Sequence, residues 1–130
     1  MGDMTYREKN KVLWRGVRPA HNGDQVHKEA TATNDTSLIY TVPAGKTLYL
    51  THVHLGAVAI AGSWGMVYYR NVADVYVANL VRGVYVGVTT SPPFTANYYP
   101  PLEISAGFDL MVVSNIAGLT LYGDILGWVE

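Results

Sequence analysis

The chain is 130 residues long, 49% hydrophobic and 15% charged, with a formal net charge of −1 and no cysteine. That length suits one domain with one core. The missing cysteines exclude a disulfide framework, a thiolate metal site and a Cys nucleophile, and the near-neutral charge excludes a general attraction to nucleic acid or an anionic membrane surface.

Residues 1–35 carry eleven of the nineteen charged side chains (nine Lys and Arg, ten Asp and Glu) and show no sustained periodicity. They read as an extended N-terminal arm. Its start, Met1-Gly2-Asp3-Met4-Thr5-Tyr6-Arg7-Glu8, has no apolar core of a secretory signal, so the product is expected to be soluble and made in the cytoplasm. Within the arm, Val12-Leu13-Trp14-Arg15-Gly16-Val17-Arg18-Pro19 is a compact apolar–basic patch. Trp14, Arg15 and Arg18 are candidate partner-binding residues, with Trp14 as the anchor on a neighbouring subunit or a shell. The same segment holds Asp3, Glu8, Asp24, Glu29 and Asp35, a dilution that argues against a direct grip on nucleic acid.

Residues 36–130 form the second unit, and its charges are sparse. Only Lys46, Arg70, Asp74, Arg82, Glu103, Asp109, Asp124 and Glu130 occur there. A small domain has much surface for its volume, and that surface normally carries Lys, Glu, Arg and Asp. A surface so poor in them is expected to be covered by other subunits. Segments 37–42, 46–58, 66–72, 75–81, 84–89, 102–104, 108–114 and 119–129 are rich in Val, Ile, Tyr, Leu and Thr and read as strands. None shows helical periodicity with caps, and no apolar run approaches the roughly 18 residues of a membrane span. Many strands are semi-apolar on both faces, as in Lys46–Leu55, where Leu48, Leu50, His52 and His54 alternate with Thr47, Tyr49, Thr51, Val53 and Leu55. A blurred alternation predicts that the outer face also meets protein. The fold expected is all-β: an antiparallel β-sandwich, jelly-roll-like, with an extended arm.

Turn signals support two similar halves. Val42-Pro43-Ala44-Gly45-Lys46-Thr47-Leu48 aligns with Ile104-Ser105-Ala106-Gly107-Phe108-Asp109-Leu110, each an apolar residue, a turn ending in Gly and a further strand. Ser91-Pro92-Pro93-Phe94 and Tyr98-Tyr99-Pro100-Pro101 bracket a stretch expected to be a long exposed loop, because proline lacks the donor that a central ladder needs. Phe94, Tyr98 and Tyr99 are therefore further candidate contact residues, aromatic rings being typical of protein interfaces.

Catalytic patterns are weak. His52-Val53-His54 places two imidazoles on one side of a strand, as metal-binding β-barrels do, but no carboxylate follows within reach. Ser114, His52 and Asp109 make a relay only on paper, and Gly45-Lys46-Thr47 lacks the earlier Gly and the helix of a phosphate loop. No enzyme activity, cofactor or metal is expected. Clustered aromatics leave a carbohydrate-binding module of a tail or fibre as the alternative reading.

Tyr40-Thr41-Val42-Pro43-Ala44-Gly45-Lys46-Thr47-Leu48-Tyr49-Leu50, with Pro101-Leu102-Glu103-Ile104-Ser105-Ala106-Gly107 and the run from Gly118 to Trp128, resembles the phrasing of small jelly-roll structural proteins of tailed bacteriophages. The resemblance covers most of residues 37–130 and includes capsid decoration (cement) proteins. It implies a virion protein that self-associates, typically as a trimer, and bridges major capsid proteins on the outside of a head. It also makes residues 1–35 the arm that reaches a neighbour. The family has no fixed functional residue to carry over.

Overall fold

The computed structural model describes residues 23–59, 62–85 and 93–130. Eight strands follow one another: β1 (Asp24–Thr33), β2 (Thr36–Thr41), β3 (Leu48–Ala59), β4 (Ser63–Arg70), β5 (Tyr76–Tyr85), β6 (Phe94–Ile104), β7 (Asp109–Ser114) and β8 (Thr120–Val129). They build two four-stranded sheets, sheet I in the order β1-β8-β3-β6 and sheet II in the order β2-β7-β4-β5. Every pairing is antiparallel. This is the double Greek-key order of an eight-stranded jelly roll. Replacing β2, β3, β4 and β5 by β6, β7, β8 and β1, and the reverse, converts one sheet order into the other. The two matched turns lie side by side at one end. Val42 donates its N–H to the Phe108 carbonyl (2.9 Å), Gly107 donates to the Val42 carbonyl (2.8 Å), and Gly45 and Gly107 both take the positive φ that a side chain resists.

Three expectations are corrected. Residues 24–33 are not arm but β1, paired along its whole length with β8, so the sandwich begins at Asp24. Only Val26 and Ala32 of this strand are buried, and such an edge strand has no apolar face for sequence patterning to detect. The segment Tyr98–Pro101 is not a free loop: it lies inside β6, at the outer edge of sheet I, where a missing N–H breaks no ladder. Finally, 75–81 and the start of 84–89 are one strand, β5, up to Tyr85.

β-bulges explain the blurred alternation. Leu50 pairs with Gly127, whereas His52 pairs with Leu126, so one extra residue at Thr51 reverses the facing of the rest of β3. Leu48 and Leu50 point inward before the bulge; Val53 and Leu55 do so after it, and all four are fully buried. Similar shifts skip Ile39 in β2 and Val77 and Leu80 in β5.

The core between the sheets is mainly aliphatic, with Leu48, Leu55, Val67, Leu110, Leu121 and Ile125 fully buried in it. One polar group stands out. The Tyr85 hydroxyl is buried with no hydrogen-bond partner among the described residues, its ring set edge-on to Phe94 with centroids 5.5 Å apart. Burial, with a smaller contribution from Tyr122, pushes its pKa up to about 12. The unfolded chain ionises this group near 10, so stability is intact below that pH and is lost as pH rises toward 12. The loss expected from Tyr85 is on the order of 2–3 kcal/mol. Urea unfolding between these pH values checks it: Tyr85→Phe should flatten the alkaline decline, and an equally steep decline in the variant would refute the assignment.

Candidate interaction surface

Strand register assigns every outward side chain to a row, and the two outer faces of the sandwich differ in chemistry. On sheet I the rows are Gln25–Trp128–Tyr49–Glu103, His27–Leu126–His52–Asn97, Glu29–Asp124–His54–Thr95 and Thr31–Tyr122–Gly56. This face is polar. Asp124 stands between two imidazoles, 3.8 Å from His27 Nε2 and 4.0 Å from His54 Nδ1. Tyr49 and Trp128 stack on each other at 5.3 Å.

On sheet II the rows are Trp64–Val84, Thr36–Val113–Met66–Arg82, Leu38–Met111–Tyr68–Asn79 and Thr41–Asp109–Arg70–Tyr76. The two middle rows hold five apolar or aromatic side chains and one charge. Met111 is 4% exposed although it faces outward, because Leu38 and Tyr68 flank it. Leu38 remains 50% exposed and Val84 61% exposed. Six of the eight large exposed hydrophobics among the described residues belong to sheet II or to the β4–β5 turn: Leu38, Val72, Val75, Tyr76, Val77 and Val84.

The charges of this face are already engaged. Arg70 donates through Nε to Asp109 Oδ2 at 3.1 Å, its Nη2 forms an ion pair with the same oxygen at 3.0 Å, and its Nε lies 3.4 Å from Asp74. Thr41 Oγ1 donates to the other Asp109 oxygen at 2.6 Å. Arg82 lies over the Trp64 ring, 5.0 Å from its centroid. The β4–β5 turn beside them is held in one shape. Asn71 Oδ1 accepts from the N–H groups of Ala73 and Val75, and Asp74 takes a positive φ of 61°. Val72 and Val75 are thereby presented at the end of the same sheet.

The sheet edges offer much less. β1 carries Asp24, Lys28 and Glu29; β2 has six residues and a bulge; β5 is interrupted at Val77 and Leu80. Tyr98 donates its hydroxyl to the Leu80 carbonyl at 3.2 Å, closing part of the β5 edge. On β6, residues 98–101 bulge opposite Thr51 and include Pro100 and Pro101. Charges, prolines, bulges and short length are the devices that prevent strand-to-strand pairing.

Of the residues singled out from sequence, Trp14, Arg15 and Arg18 lie outside the described residues. Phe94 and Tyr98 turn toward the core, and Tyr99 projects from the outer edge at 69% exposure. The paper relay is dispersed: Ser114 points inward and donates to the Leu119 carbonyl, Asp109 lies on the outer face of sheet II, and His52 lies on that of sheet I. No three His, Cys, Asp or Glu side chains converge to hold a metal ion among the described residues. Sequence reading missed Leu38, Met66 and Met111 as a surface, although the apolar character of both faces of β7 was its available sign. The chain matches no family model, no curated protein and no solved structure.

Proposed function

We propose that the protein is a non-enzymatic structural subunit of a virion, a capsid decoration protein that self-associates and binds across shell subunits. One observation supports this most: the outer face of sheet II is largely apolar, with Arg70 paired to Asp109 and Arg82 laid over the Trp64 ring within the subunit. Such a face gains free energy when covered and offers contact in place of chemistry. The viral part of the reading rests on the resemblance of residues 37–130 to phage jelly-roll proteins, which also implies a trimer. Reinforcement would work by mass action, since opening the shell must then also break many modest contacts.

The test is sedimentation of the purified chain with empty heads of the phage that encodes it. Saturable binding and a higher temperature of head opening are expected. A chain lacking residues 1–22 keeps β1 whole, so it should stay folded while losing head binding. Unchanged binding by that variant would remove the arm from the mechanism. Failure of the full chain to bind heads, with capture of glycans on an array, would replace this reading with the carbohydrate-binding one.

A further inference from the structure

We infer that the outer face of sheet I is the docking surface for residues 12–19 of the same chain, the basic, tryptophan-bearing stretch Val12-Leu13-Trp14-Arg15-Gly16-Val17-Arg18-Pro19. The inference concerns the free subunit and is independent of the viral reading above.

Charge selects the occupant. Residues 1–22 carry Arg7, Lys9, Lys11, Arg15 and Arg18 against Asp3 and Glu8, a net +3, whereas residues 23–130 carry eight acids and four bases, a net −4. The two parts of the chain therefore attract each other. Sheet I offers the matching surface. Its outward rows hold Glu29, Glu103 and Asp124 and neither Lys nor Arg, their basic groups being the imidazoles of His27, His52 and His54. Lys28, opposite the buried Ile125, leaves β1 by the other side. On sheet II the outward Asp109 is already taken by Arg70, and Arg82 would repel the segment.

Chain entry and reach agree with charge. Gly23 runs directly against Trp128: a Cβ on it would come 2.6 Å from Trp128 Cδ1 and would overlap the Val129 carbonyl, a close passage that calls for glycine. Trp128 is an outward residue, stacked on Tyr49 at 5.3 Å and donating its indole N–H to Glu130 at 3.0 Å, and it is only 5% exposed. The chain thus enters the sandwich at the Tyr49–Trp128 pair. An extended chain gains about 3.4 Å per residue, so Arg18 lies within about 17 Å of Gly23 and Trp14 within about 31 Å. Asp124 is about 13 Å from Trp128 along β8, and four strands span about 14 Å, so the face is within reach of both side chains. A guanidinium over a carboxylate and an indole on a face that already stacks aromatic rings are ordinary partners.

The chain has no cysteine, so Gly16→Cys creates one attachment point for a nitroxide, whose broadening of amide signals falls steeply with distance. In the full chain, broadening is expected at outward positions of sheet I such as His27, Leu126 and His52, with Met66 and Met111 of sheet II spared. It should weaken at about 1 M salt, where the Debye length is about 3 Å. Arg15→Glu with Arg18→Glu, and separately Glu29→Lys with Glu103→Lys, should abolish it, whereas Thr36→Lys on sheet II should not. Glu29, Glu103 and Thr36 are exposed and the arginines precede the sandwich, so circular dichroism should be unchanged. Equal broadening of both sheets, or none on sheet I, would overturn the docking. Broadening that survives both charge reversals would overturn its charge-selected character. Mixing nitroxide-bearing chains with separate isotope-labelled chains supplies the last control: equally strong broadening there would give the face to a neighbour's segment and overturn docking on its own sandwich. Every readout uses the subunit without heads, so a failure of head binding would leave this inference standing.

Discussion

Leu121→Ala is expected to lower the unfolding free energy by about 3–5 kcal/mol, the upper part of the range for a buried leucine. Leu121 is fully buried on β8, and its Cδ1 reaches across to β4, where it occupies the space that a side chain on Gly65 would need. The two sheets are keyed together at this point, a leucine on one entering the gap left by a glycine on the other. Truncation leaves a cavity that neither rigid sheet can close. The converse change, Gly65→Ala, should destabilise by about 1–3 kcal/mol, because its Cβ meets Leu121 and also the Val113 carbonyl oxygen at 2.8 Å. Combining the two changes relieves only the leucine contact. The double variant should therefore lose less than the sum of the single losses, with a coupling of about 1 kcal/mol. Urea denaturation of the four proteins decides it. Strict additivity, or a Leu121→Ala loss below about 1 kcal/mol, would mean the sheets do not interlock here.

Local signals carried the broad fold. Gly45 and Gly107 mark turns that no other residue makes as easily, and their matched flanks reveal two halves that the topology relates strand by strand. The long, largely apolar segments 108–114 and 119–129 correspond to the central strands β7 and β8, whose inward faces are buried. What sequence could not show depends on pairing between distant segments. β1 is polar apart from Val26, Ala30 and Ala32, and only its ladder with β8 makes it a strand. The bulge at Thr51 exchanges the two faces of β3, so simple alternation put Leu48 and Leu50 with His52 and His54. The prolines of β6 looked like a loop until the strand was found at an edge. The surface was obscured for the same reason: Leu38, Met66 and Met111 come from three strands, and nothing local brings them into neighbouring rows.

Asp109→Ala is expected to lower stability by about 2–3 kcal/mol, somewhat less than the loss of one partner from a fully buried pair. The carboxylate is 14% exposed and accepts hydrogen bonds from Thr41 and from Arg70 Nε, with Arg70 Nη2 also in ion-pair contact, joining β2, β7 and β4 across sheet II. Without it, Arg70 keeps only Asp74, which is 69% exposed and held at 3.4 Å, a pair that solvent screens. Asp109→Asn retains an acceptor and the shape while losing the charge, so it should fall between the parent and the alanine variant. Thermal and urea unfolding give the stabilities, and a loss of no more than about 0.5 kcal/mol would show that the network does not brace the sheet. A second effect separates bracing from contact. Removing the carboxylate leaves beside the apolar rows of sheet II a guanidinium paired only with the exposed Asp74. A face that works by being covered should then associate more weakly, even at temperatures where the variant is fully folded. Equal self-association of the folded variant and its parent would place the contact elsewhere, whatever happened to stability. The pairing of Arg70 with Asp109 thus joins three strands and cancels two of the charges beside the apolar rows of sheet II.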